Sequence, residues 1–170
     1  MSLYPHTVPQ FDKTLQNLER WIDKTIAHAK AHGFEANDLL TARLAPTQFT
    51  LVRQIQSVCD NAKLATARLS GKEAPSHPDT EKTWDEIRAR IRSVREWLGQ
   101  LAPADFEGAE TRAITLPWAK EKTLSGRDYA IEFAVPNFYF HVTTAYSILR
   151  HNGVELGKID FIGSLPFRDA

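Results

Sequence analysis

The five residues Asn137-Phe-Tyr-Phe-His141 are the chain's strongest candidate for chemistry. Asn137 and His141 are four apart, so on a helix they stand one turn above the other on a single face, and that face coincides with an apolar seam. An imidazole turned toward a protein interior has to be hydrogen-bonded or bound to something, because leaving it unpaired costs roughly 1 to 3 kcal/mol. Two readings stay open: a core histidine bonded to a side chain on a facing helix, or a ligand-binding or metal site. Gln56 and Asp60 are also four apart, each one residue from the apolar Ile55 and Cys59, and are expected to face the helix of His141. A carboxylate beside a buried imidazole fixes its tautomer and raises its basicity, which suits metal ligation, general base catalysis or structural pairing equally well. The competing reading of Asp60 is a partly exposed carboxylate bonded to Arg or Lys.

The remaining polar candidates are weaker. His28 and His32 have the spacing of two metal-binding histidines on a helix, yet point away from the seam Ile22, Ile26, Ala29 and lie at a helix C-terminus, where an imidazole is favoured anyway. Arg150 and His151 have the same explanation, His77 falls in a loop, and His6 is near a terminus. Cys59 lies on a helical seam and reads as a small buried hydrophobe rather than a nucleophile. As the single cysteine it excludes an internal disulfide and a CxxC site. There is no phosphate-binding glycine loop and no GxSxG; Gly153, Gly157 and Gly163 follow a helix and read as turns.

Four amphipathic segments must position these groups. The first reads Val8, Phe11, Leu15, Leu18, Ile22, Ile26 and Ala29 and stops at Gly33, with Pro5 and Pro9 expected before it or in its first turn. The second is expected over about Pro46 to Ser70, ended by Gly71. The third runs from Trp84 to Leu101, with Thr83 and Glu86 spaced as a capping box and Pro103 closing it. The fourth starts near Ser125 and ends at His151, with Pro136 expected to kink it. Thr111 to Leu116 and Glu121 to Leu124 can pair as a small hairpin, and the tail 153–170, with Ile159, Phe161, Ile162, Leu165 and Phe167, is expected to pack back on the helices.

The expected fold is therefore an all-α four-helix bundle in one domain, residues 1–170. The twelve residues from Gly71 to Lys82 reach roughly 40 Å when extended, about a helix length, so the second and third helices can run parallel through a crossover. With 21 basic and 21 acidic residues and no basic block, neither nucleic acid nor an anionic membrane is an expected partner. No stretch is long and apolar enough to span a bilayer, and Met1 to Gln10 lacks a signal-peptide pattern, so a cytoplasmic location is expected. Four large rings, Trp21, Trp84, Trp97 and Trp118, are many for such a bundle and suggest a homodimer interface.

The run His141-Val-Thr-Thr-Ala-Tyr-Ser-Ile-Leu-Arg150-His-Asn-Gly153, preceded by Asn137, resembles the last helix of the DinB/YfiT-like four-helix-bundle superfamily. The phrases Asn-Phe-Tyr-Phe-His-Val-Thr-Thr-Ala-Tyr and Asn-Gly-Val-Glu-Leu-Gly-Lys are similar to a branch catalogued only as a domain of unknown function. The resemblance implies up-down-down-up topology, frequently a homodimer, and a question about metal. Metal-bearing members, among them thiol-dependent transferases and isomerases, hold a divalent zinc or nickel ion with one histidine from the second helix and an HxxxH pair on the last. His141 corresponds to the second histidine of that pair, Asn137 stands at the first, and the second helix offers only Gln56 and Asp60. The expectation is a bundle with no metal cofactor whose pocket of His141, Asn137, Asp60 and Gln56 binds a small molecule. The alternatives are a metal-dependent hydrolase or thiol-dependent enzyme with one divalent ion on His141 and Asp60, and a non-catalytic structural or interaction dimer.

Overall fold

The computed structural model describes residues 2–168. Helix α1 (Tyr4–His32) buries Phe11, Leu15, Leu18, Trp21, Ile22 and Ala29 along one stripe. Pro5 sits at its start, but Pro9 lies inside it rather than in the first turn. The hydrogen bond that Pro9 cannot make belongs to the carbonyl of Pro5, and both prolines are exposed, where solvent can hydrate that oxygen. Helix α2 (Leu51–Ser70) begins five residues later than Pro46, after a turn closed by the Gln48 N–H on the Ala45 carbonyl and followed by Phe49, and ends at Gly71 in the left-handed conformation with φ 76°. Helix α3 (Trp84–Gly99) opens on the expected capping box, in which the Thr83 side chain accepts from the Glu86 N–H and the Glu86 carboxylate accepts from the Thr83 N–H.

Strands β1 (Ala113–Thr115) and β2 (Thr123–Ser125) pair antiparallel, Ile114 opposite Leu124. Ser125 then caps α4 (Gly126–Asp128) by accepting from the Asp128 N–H at 3.1 Å. Gly126 is required there, since a Cβ at that position would stand 1.8 Å from the carbonyl oxygen of Ala109. The chain continues through a π turn (Tyr129–Ala134) into α5 (Val135–His151). The disturbance expected at Pro136 takes this form: the Val135 N–H reaches back five residues to Ala130, immediately before the residue that has no N–H to give.

Side-chain pairs give the helix directions. Asp60 and Thr66 of α2 meet Arg90 and Trp97 of α3 in the same order, so these helices are parallel, joined by the long connection. Gln54, Asn61 and Arg68 of α2 meet His141, Asn137 and Tyr129 in reverse order, so α2 and α5 are antiparallel. Phe11 and Trp21 of α1 meet Phe138 and Tyr146 of α5 in the same order, again parallel. The result is the up-down-down-up four-helix bundle.

The tail packs only in part. Helix α6 (Lys158–Ile162) lies on α1, where the Trp21 indole donates to the Asp160 carbonyl at 3.1 Å, Asn17 donates to the Phe161 carbonyl at 3.0 Å, and Phe161 stacks on Trp21. Ile159 and Phe167, expected to pack, are instead 73% and 87% exposed, and Leu165 is 50% exposed. Trp21, Trp84 and Trp97 are in the core, leaving Trp118 at the hairpin tip as the exposed tryptophan. Among the described residues no helix is long and apolar enough to cross a membrane.

Candidate functional site

His141 is buried, and its Nδ1 lies 2.7 Å from the Oε1 of Gln54, which is 1% exposed on α2. An amide oxygen only accepts, so Nδ1 carries the proton and Nε2 the lone pair. Nε2 makes no hydrogen bond among the described residues and is not sealed in the interior, so it is open to solvent. Burial, then the positive charge of Arg53, holds the His141 pKa below the usual histidine value and keeps the ring neutral. The Phe49 ring lies parallel to the imidazole with centroids 6.4 Å apart, and Phe140 stands edge-on at 5.2 Å. One turn earlier on α5, Asn137 donates to the Oδ1 of Asn61 at 2.5 Å, and Asn61 donates to the Ser57 carbonyl. The α2–α5 seam thus holds two neutral polar pairs, Gln54–His141 and Asn61–Asn137.

Gln56 and Asp60 do not join them, and the expectation that they face the helix of His141 is corrected. At 100° per residue they lie roughly 130° around α2 from Gln54 and Asn61, which turns them to α3 and the crossover. Asp60 accepts from Arg90 at 2.7 Å and from Lys63 at 3.0 Å, the reading of a carboxylate bonded to Arg and Lys. Gln56 donates to Glu81 at 2.8 Å. Arg90, whose side chain is 1% exposed, also reaches Asp79 at 3.0 Å and Glu81 at 2.9 Å, while its Nε has no partner. Lys63 Nζ donates to Nδ1 of His77 at 2.9 Å, which places the ring proton on Nε2, facing Ser93 Oγ at 3.0 Å. His77 therefore donates to Ser93 and does not withdraw its proton as a general base. Burial, Lys63 and Arg90, in that order, lower the His77 pKa. Cys59, fully buried beside this network, has its thiol pushed up to about 12 by burial, which makes it inert.

Sequence reasoning missed Gln54 and Asn61. Their signal is a spacing of seven, two helical turns, along the edge of the apolar stripe Leu51, Val58, Ala62 and Ala65. The His28 and His32 rings lie tilted against each other, centroids 4.2 Å apart, at the C-terminal end of α1, with the His32 Nδ1 on the His28 carbonyl, so they stand apart from His141.

The resemblance implies a metal in this superfamily, and the donor set does not fit one. His141 has neutral amides for neighbours, Asp60 is held by two cations on another face, and among the described residues no three His, Cys, Asp or Glu side chains converge on a point.

Fold and site define a DinB-like helical bundle with an amide-flanked histidine on its last long helix. Residues 3–162 match the family described as a domain of unknown function, DUF1993, and the chain belongs to it. It is similar to a crystal structure described as a DinB family member protein from Shewanella denitrificans, at 48% identity and a TM-score of 0.96, over 99% of this chain and 96% of that one. No curated protein matches it.

Proposed function

We propose that the protein is a cytoplasmic DinB-like bundle that binds a small molecule at the open Nε2 of His141 without a resident metal. The observation that carries this reading is the Gln54–His141 hydrogen bond. It fixes the tautomer so that a neutral ring nitrogen keeps a free lone pair, on an imidazole that has Phe49 parallel to it and Phe140 edge-on. Such a group accepts a hydrogen bond from a hydroxyl or amide N–H, and the two phenyl rings add apolar contact for a planar ligand. A metal-dependent hydrolase or a thiol-dependent transferase would need Asp60 beside His141, and Asp60 is engaged by Arg90 and Lys63. A purely structural dimer leaves the open ring nitrogen without a use.

Phenol is the smallest probe that combines an O–H donor with an aromatic ring. Titrated into the protein while the ring-nitrogen NMR signals of His141 are followed, it is expected to move Nε2 saturably, an effect absent in His141→Ala; unmoved signals would sink the reading. In calorimetric titrations with zinc and nickel, no tight one-to-one binding is expected. One ion bound tightly, lost in His141→Ala and kept in His28→Ala/His32→Ala, would instead establish a metal site.

A further inference from the structure

A cavity lies on another face of the bundle from His141. It has a volume of about 600 Å³ and opens between the start of α1, the loop at Glu110 and the π turn that leads into α5. That size falls within the roughly 300–1,000 Å³ of small-molecule sites. Its floor is built and apolar: Leu3 and Ala130 are buried, and Ile131 and Val135 complete the wall. Thr7 turns its hydroxyl to the Leu3 carbonyl at 2.9 Å, so the polar atom is already satisfied by the backbone.

The rim has a different character. Arg127, an exposed residue, stands at the mouth with a guanidinium that makes no hydrogen bond or ion pair among the described residues, and His6 also lines the cavity. The acidic lining residue, Glu110, is already engaged with a partner of its own, and its carbonyl accepts from the Arg127 N–H at 3.0 Å, which holds the arginine's backbone at the mouth. The first turn of α1 that borders the cavity contains no acidic residue. An unneutralised fork of five N–H donors above an apolar chamber matches a ligand with a carboxylate at one end and a hydrocarbon or aryl body at the other.

We propose that this cavity is a binding site for an amphipathic carboxylate, with its anionic end on Arg127 and its apolar body against Leu3, Ala130, Ile131 and Val135. The site owes its shape to the π turn. Widening the helix by one residue per turn ahead of Pro136 sets Ala130, Ile131 and Val135 along the chamber, a use to which such turns are frequently put. The proposal is independent of the reading of His141, which faces α2 rather than α1.

The test is calorimetric titration of sodium decanoate, below its micellar concentration, into the full chain. The expected result is saturable one-to-one binding. Arg127→Ala, a change at an exposed side chain, should weaken it roughly tenfold or more, as loss of a charge-assisted contact requires. Ile131→Asp, which puts a negative charge on the wall, should do the same, while Lys30→Ala, an equal loss of charge at the far end of α1, should not. Decanol should bind roughly tenfold more weakly than decanoate. Absence of saturable binding, equal affinity in Arg127→Ala, or an equal loss in Lys30→Ala would overturn the proposal, and circular dichroism establishes that each variant compared is folded.

Discussion

A neutral imidazole with Nδ1–H fixed on an amide oxygen resists protonation, because charging it would place a cation in a partly desolvated seam facing Arg53. The consequence for stability has a definite sign. In the unfolded chain His141 takes up a proton as pH falls through 6.5, whereas in the folded chain it does so only at lower pH. Between those two values the unfolded state binds more protons, so the contribution of His141 to stability is constant above pH 6.5 and declines as pH falls toward the folded pKa. His77 acts in the same direction, since its pKa is also lowered. His141→Gln is therefore expected to make urea-denaturation midpoints less sensitive to pH as it falls below 6.5, while leaving the His77 share in place. A slope unchanged from wild type would show that His141 is not held neutral. At this scale His141 and Asn137 were legible in the sequence as a polar pair on an apolar face. Their partners were not, because a step of one residue is 100° around a helix, enough to pass from the α5 side of α2 to the α3 side. Asp60 and Gln56 fell on the wrong side of that division.

Between α2 and α3 the crossover is tied down by one residue. Arg90 binds Asp60, Asp79 and Glu81 from an almost completely buried position, and Arg53 adds a second contact to Asp79, so the guanidinium joins two parallel helices and the strap that connects them. Its presence holds the Glu81 carboxyl below the usual range against the opposing effect of burial. Removing the buried cation leaves Asp60, Asp79 and Glu81 to repel one another; breaking a fully buried pair costs about 3–5 kcal/mol, and the exposure of Asp79 and part of Asp60 to water sets the loss toward the lower end of that range. Arg90→Ala is expected to lose stability of that order in urea denaturation and to expose the connection to proteolysis; a loss below about 1 kcal/mol would place the charges in a solvated surface cluster instead. The elements themselves were largely readable. The capping box at Thr83 and Glu86, the stop at Gly71 and the reach of the crossover each follow from local chemistry that leaves a sequence signature. The start of α2 and the π turn did not, since Phe49 keeps helical spacing while lying in the irregular stretch before the helix, and Pro136 signals a disturbance without saying what form it takes.

For the whole molecule, the expectation of a homodimer rested on four tryptophans, and three of them serve the core. Trp21 packs under α6, Trp84 donates to the Ala36 carbonyl at 2.8 Å, and Trp97 reaches Thr66 at 3.4 Å, so none of them is available to a second copy. A sequence counts large rings but cannot say which face of a bundle they close, and the amphipathic period predicts burial without distinguishing a core from an interface. Trp118 now carries the expectation, 73% exposed at the hairpin tip, where it leans on Phe133 with ring centroids 5.9 Å apart. An association through this tip predicts a light-scattering mass about twice the 19.2 kDa of the chain, falling to the single-chain value in Trp118→Ser, together with a blue shift of tryptophan fluorescence as concentration rises. A mass of 19.2 kDa at every concentration would reject the dimer and leave Trp118 as a solvent-exposed ring on a two-stranded hairpin.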